Sequence, residues 1–90
     1  MPLLRVFVER GCHGSARARR LAEELRASFP ALQVEVVDLA APASPVPADV
    51  FATPTYVLDG KLLSLGNPRP AVLVRRIAAA LATAERQADR

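Results

Sequence analysis

The chain has 90 residues, 8 prolines, one cysteine, one histidine and a formal net charge of +3. This length suits one domain over residues 1–90, with a core that buries roughly two-thirds of the unfolded surface. A single cysteine excludes an internal disulfide, and the absence of a Cys/His cluster with metal-ligand spacing argues against a metal site, so a reducing, cytoplasmic setting is expected. The modest charge argues against general nucleic-acid binding, and the short apolar run at residues 2–8 argues against a membrane span.

The first elements along the chain are a strand and a helix. Residues 3–8 form an apolar run with β-branched and aromatic side chains, which predicts a buried strand ended by Gly11 and Gly14. Apolar residues then recur at helical spacing over residues 15–28, and Pro30 closes this helix. On its polar face, Arg19 and Arg20 have the i,i+4 spacing that pairs them with Glu23 and Glu24.

The second strand is predicted over residues 33–39, where Val34 and Val36 alternate with Glu35. Strand, helix and strand with short joints form a βαβ unit, which makes the two strands parallel. Residues 40–53 carry three prolines among small residues, so this segment is predicted to be a loop with at most one or two turns of helix around residues 47–51.

The strongest local signal is a hairpin. Asp59-Gly60 supplies the positive φ angles of a two-residue turn, so residues 55–58 and 61–65 should pair antiparallel. Pro70 then suits the first position of a closing helix over residues 71–84, with a polar tail that frays from Glu85. The predicted fold is α/β, with a four-stranded mixed sheet and two helices packed against it.

Cys12 lies between the first strand and the first helix. Unpaired backbone N–H groups at the helix N-terminus favour the thiolate, which is the reactive form, and the Ser15 hydroxyl acts in the same direction. The alternative is a small buried hydrophobic residue, which is a common role for an unpaired cysteine, but the flanking glycines favour a loop. We therefore predict a solvent-accessible, reactive thiol, with Ser15 also capping the helix.

Charged residues surround this loop in the sequence. Arg10 precedes Cys12, and three further arginines follow at positions 17, 19 and 20, which favours an anionic partner at this site. His13 is expected at the surface, where it would modulate the site more than catalyse. Arg10 and His13 are accordingly the candidate substrate-binding residues next to the thiol.

The element order, with Cys12 after the first strand and Thr53-Pro54-Thr55 before the third, resembles the thioredoxin-like fold. The chain is most similar there to glutaredoxins and small bacterial glutaredoxin-like proteins with a monothiol Cys-x-x-Ser motif. The resemblance implies that Cys12 attacks disulfides, that Ser15 holds the resolving position, and that Pro54 is cis beside the cysteine. It also implies that the Thr53 backbone pairs with a bound peptide or with glutathione.

Two features depart from that family. The segment between strands two and three is shortened and rich in proline, and Gly66-Asn67-Pro68 stands where glutaredoxins carry Gly-Gly followed by an acidic residue that helps to hold glutathione. Without a second cysteine, a dithiol cycle within one chain is excluded.

Three functions follow from the residues and the resemblance. The first is a monothiol thiol–disulfide oxidoreductase, in which an external thiol such as glutathione completes the cycle started by Cys12. The second is a non-catalytic thioredoxin-like binding module. The third is a glutathione-dependent carrier of an iron–sulfur cluster shared by two subunits. The expected partners are a thiol or disulfide substrate and, in the first and third cases, glutathione, and the chain is expected to be a monomer or a weak homodimer.

Overall fold

A computed structural model describes residues 1–41 and 45–88. The elements in chain order are β1 (Leu3–Val8), α1 (Ser15–Ser28), β2 (Gln33–Asp38), β3 (Thr55–Leu58), β4 (Lys61–Leu65) and α2 (Pro70–Ala88). Part of the proline-rich segment predicted to be a loop, residues 42–44, lies outside the described residues. Within its described part no helix forms, and a turn closes with the Val50 N–H donating to the Pro47 carbonyl at 3.0 Å.

The four strands form one mixed sheet in the order β2-β1-β3-β4. β1 pairs parallel with β2 and antiparallel with β3, and β3 pairs antiparallel with β4. Both predicted pairings, the parallel βαβ unit and the antiparallel hairpin, are therefore confirmed. The register aligns Phe7 with Thr55, so the carboxyl end of β1 and the start of β3 meet at one edge of the sheet.

The hairpin turn has the geometry that its sequence requires. Asp59 and Gly60 both have positive φ angles, 50° and 79°. A two-residue turn needs positive φ at both positions to match the twist of the strands. The Asp59 carboxylate also accepts a hydrogen bond of 2.8 Å from the Leu3 N–H. The turn is thereby tied to the beginning of β1.

Alternation along β1 separates two apolar layers. Leu4, Val6 and Val8 face α1 and α2 in the main core, whereas Phe7 faces the opposite side. There it packs with Val50 and Val57. The helices cover one face of the sheet, and the loop before β3 contributes to the cover of the other.

The predictions of the end of α2 and of the partner of Arg19 are wrong. α2 continues to Ala88, because Glu85, Arg86 and Gln87 are good helix formers, and Arg86 donates to the Thr83 hydroxyl at 3.3 Å. Arg19 pairs with Asp38 at the end of β2, at 3.6 Å, while Glu23 pairs with Arg26. A partner on the neighbouring strand is within reach of the guanidinium, which spacing along one helix cannot show.

In the described part of the chain, neither helix is long and apolar enough to cross a membrane.

Candidate functional site

The Cys12 loop, residues 9–14, follows directly from β1 and leads into α1. The Cys12 N–H donates to the Glu9 carbonyl at 3.0 Å, and the Ser15 N–H donates to the Cys12 carbonyl at 3.2 Å. Gly14 closes the loop with φ of 93°, a conformation that favours glycine. These turns place a partly exposed Cys12 next to the first turn of α1.

The Cys12 thiol contacts the segment that precedes β3. It donates to the Thr53 carbonyl, with 3.1 Å between Sγ and O, and makes a longer contact of 3.4 Å to the His13 carbonyl. A carbonyl oxygen only accepts, so the hydrogen bond to Thr53 uses the single proton of the thiol. The backbone N–H groups expected to face the sulfur make no hydrogen bond to Sγ among the described residues. The interaction that positions Cys12 therefore comes from Thr53.

Pro54 is buried and the Thr53–Pro54 peptide bond is cis, as the resemblance predicted. The Pro54 carbonyl accepts a hydrogen bond of 2.7 Å from the Gly66 N–H. Thr53 and Pro54 thus reach Cys12 from the start of β3, across 41 residues of sequence.

Ser15 does not cap α1. The helix begins at Ser15 itself, Gly14 occupies the capping position without a side-chain hydrogen bond, and the buried Ser15 hydroxyl accepts from the Glu9 N–H at 3.2 Å. A capping hydroxyl belongs to the residue just before the first helical residue, and Ser15 is already one position inside the helix. Its hydroxyl instead stabilises the turn that follows β1. Ser15 is a neighbour of Cys12 in space without a hydrogen bond to its sulfur.

An open cleft of about 740 Å³ lies beside Cys12, on the side of β2. It is lined by Glu9, Arg10, Gly11, Cys12, Ser15, Ala16, Arg19, Asp38 and Ala40. Of the candidate binding residues, Arg10 lines this cleft, whereas Thr53 and Pro54 lie outside its lining. His13 is exposed, as predicted, and is not part of the cleft lining. Cys12 therefore borders two surfaces, a charged cleft and the segment at Thr53.

Sequence reasoning missed the residues behind this loop. The Asn67 side chain accepts from the Tyr56 hydroxyl at 2.8 Å and donates to the Gly14 carbonyl at 3.0 Å. The only signal was a polar amide between Gly66 and Pro68, which predicts a turn and nothing about its contacts.

Among residues 1–41 and 45–88, no group of three His, Cys, Asp or Glu side chains could hold a metal ion.

Tyr56 is fully buried, as expected of a side chain that fills the sheet face. Burial raises the pKa of its phenol to about 12, while the charge of Arg17 acts in the opposite direction. The cause is desolvation, which disfavours the tyrosinate. The folded protein therefore holds the Tyr56 proton more tightly than the unfolded chain does.

We predict that the protein loses stability as pH rises from about 10 to about 12, the ordinary and folded values of the Tyr56 pKa. The contribution is fully present below the unfolded pKa and is lost as pH rises through the folded pKa, in total about 3 kcal/mol. Urea unfolding across this range checks it, with Tyr56→Phe as the control that lacks the phenol. Because Tyr56 is the only tyrosine, tyrosinate absorbance reports its ionisation directly. Equal pH slopes for the two proteins would contradict the prediction.

Solved structures that are similar to this chain include thioredoxins. Thioredoxin from Trypanosoma brucei brucei has a TM-score of 0.73 and 21% identity, over 91% of this chain and 76% of its own. Mitochondrial thioredoxin 3 from Saccharomyces cerevisiae, in its oxidised form, has a TM-score of 0.67 and 23% identity, over 87% and 77%. The chain has the thioredoxin fold.

A further match comes from a structure on the thiol-resolving mechanism of yeast mitochondrial 1-Cys peroxiredoxin via the glutathione and thioredoxin systems. It has a TM-score of 0.67 and 26% identity, and covers 87% of this chain and 77% of the matched chain. No family model matches the sequence, and a search of curated proteins found no significant match. The thioredoxin fold is therefore established by the structure, with four strands and two helices in the described residues.

In this thioredoxin fold, the site follows from the strand register. Antiparallel pairing of β1 with β3 brings the loop after Val8 and the segment before Thr55 to the same edge of the sheet. There the Cys12 thiol lies 3.1 Å from the Thr53 carbonyl, and Pro54 lies against Gly14 of the same loop.

Proposed function

We propose that this protein is a monothiol thiol–disulfide exchange protein in which Cys12 attacks disulfides, including mixed disulfides of glutathione. The carrying observation is the position of the only cysteine. Its sulfur lies at the start of α1, 3.1 Å from the carbonyl of Thr53 beside the cis-Pro54. The similarity to thioredoxin structures supports thiol–disulfide exchange as the general class of chemistry.

The proposed reaction has two exchanges. Cys12 loses its proton to solvent, and the thiolate attacks the glutathione sulfur of a mixed disulfide. The substrate thiolate leaves and takes up a proton, while a Cys12–glutathione disulfide remains. A second glutathione thiolate then attacks the glutathione sulfur of that bond, which releases Cys12 as thiolate and forms oxidised glutathione. The external thiol is required because Cys12 is the only cysteine.

We predict that oxidised glutathione converts the protein to a single adduct of one glutathione on Cys12, and that reduced glutathione reverses it. Intact-mass spectrometry measures both steps, and Cys12→Ser is the control that should show no adduct. A glutathionylated peptide should lose its glutathione only when protein and reduced glutathione are both present. Formation of no adduct by a protein that iodoacetamide still alkylates would overturn the proposal.

A second candidate is a non-catalytic binding module of the same fold. Two observations favour it: the thiol donates its one proton to the Thr53 carbonyl, and Phe51, two residues before Thr53, is 75% exposed. An exposed aromatic side chain close in sequence to Thr53 suits an apolar partner. Loss of partner binding in Phe51→Ser with unchanged binding in Cys12→Ser would identify this function.

A further inference from the structure

Asn67 connects three segments of the fold through one side chain. Its Oδ1 accepts from the hydroxyl of Tyr56 in β3, and its Nδ2 donates to the carbonyl of Gly14 just before α1. Asn67 itself lies between β4 and α2. The Gly14 contact spans 53 residues of sequence, so it joins the Cys12 loop to the connection between β4 and α2.

The chemistry of the two partners determines the orientation of the amide. The Gly14 carbonyl can only accept, so the amide nitrogen must face it, which leaves Oδ1 for the Tyr56 hydroxyl as donor. Tyr56 is 0% exposed, and a buried hydroxyl without a partner would be unfavourable. Each hydrogen bond therefore holds Asn67 in the orientation that the other needs.

The same short segment also holds the cis-proline. The Gly66 N–H donates to the Pro54 carbonyl at 2.7 Å. A Cβ atom on Gly14 would lie 3.0 Å from Asn67 Nδ2 and 3.6 Å from Pro54 Cδ, so the three residues are in close contact. Gly66 and Asn67 together fix the Cys12 loop against Pro54.

We propose that Asn67 is a positioning residue for Cys12, an inference that rests on the proposed exchange function. Through Gly14, its amide holds the loop at the distance from Pro54 that places Sγ beside the Thr53 carbonyl. Disulfide exchange requires the attacking sulfur to approach a bound disulfide in a defined geometry, and small displacements slow such reactions strongly. Alkylation by a small reagent depends mainly on access and on the thiolate fraction.

The test compares Tyr56→Phe with Tyr56→Phe/Asn67→Ala. Both lack the phenol hydroxyl, so neither leaves it unpaired, and only the double variant lacks the hydrogen bond to Gly14. The readout is the rate constant with oxidised glutathione divided by that with iodoacetamide. We expect this ratio to be at least about fivefold lower in the double variant. Ile77→Val, in the core of α2, controls for general loss of stability and should leave the ratio unchanged.

Two results would overturn the positioning role: ratios that agree within about twofold, or an equal fall of the ratio in Ile77→Val. Failure of the proposed function has a different signature, which is that the unmodified protein forms no glutathione adduct. Hydrogen exchange of the Cys12 and Ser15 amides then decides the inference, because both donate within the loop. Exchange at least about tenfold faster in the double variant than in Tyr56→Phe supports it, and equal exchange refutes it.

Discussion

Ser15→Cys is expected to create an internal disulfide with Cys12 and a dithiol activity that the natural chain lacks. Position 15 begins α1, three residues after Cys12, and its side chain is buried against the same loop. Two sulfurs across one turn are close enough for a disulfide in this fold. After the first attack, the second sulfur can release the reduced product, so a protein disulfide is reduced without an external thiol in that step.

Thiol counting and intact mass measure the bridge, and reduction of a protein disulfide by a stoichiometric amount of reduced variant measures the activity. Ser15→Ala is the matched control, because it also loses the hydrogen bond from the Glu9 N–H but adds no sulfur. That loss should lower the free energy of unfolding by about 1 kcal/mol in both variants. Two free thiols after oxidation, or a disulfide-linked dimer, would contradict the predicted geometry.

Gly14→Ala is expected to lower the free energy of unfolding by about 3 kcal/mol or more. Gly14 has φ of 93°, where a Cβ is strained by about 1–2 kcal/mol. The new atom would also lie 3.0 Å from Asn67 Nδ2, which is tighter than ordinary contact, so the Asn67 amide would have to shift although two hydrogen bonds hold it. The added loss comes from this contact and from the hydrogen bonds that Asn67 makes.

Gly11→Ala provides the matched control within the same loop. Gly11 has a similar φ of 81° but nothing within 4 Å of the added Cβ, so it should show only the backbone strain of about 1–2 kcal/mol. Urea denaturation of both variants gives the difference. In an Asn67→Ala background, Gly14→Ala should have a smaller effect, because the clashing atom is gone. Equal losses for the two glycines would show that the Asn67 contact is unimportant.

Much of the fold could be predicted because its signals are local. Asp59-Gly60 requires positive φ whatever surrounds it, and the alternation and helical spacing of apolar residues depend only on chain geometry. The errors occurred where local patterns are ambiguous. A serine before a helical pattern is typical of a cap, yet Ser15 is the first helical residue, and Arg19 found its partner on β2 instead of along α1.

By itself, the sequence determined the element order, the strand pairings of the βαβ unit and hairpin, and the presence of one thiol between β1 and α1. Only the tertiary structure decided what surrounds that thiol. The Thr53 carbonyl reaches Cys12 through the pairing of β1 with β3, and the Asn67 amide through the pairing of β3 with β4. The charged cleft is completed by residues at the end of β2, which pairs with β1. Such contacts depend on how elements pack and leave no periodic pattern in the residues that make them.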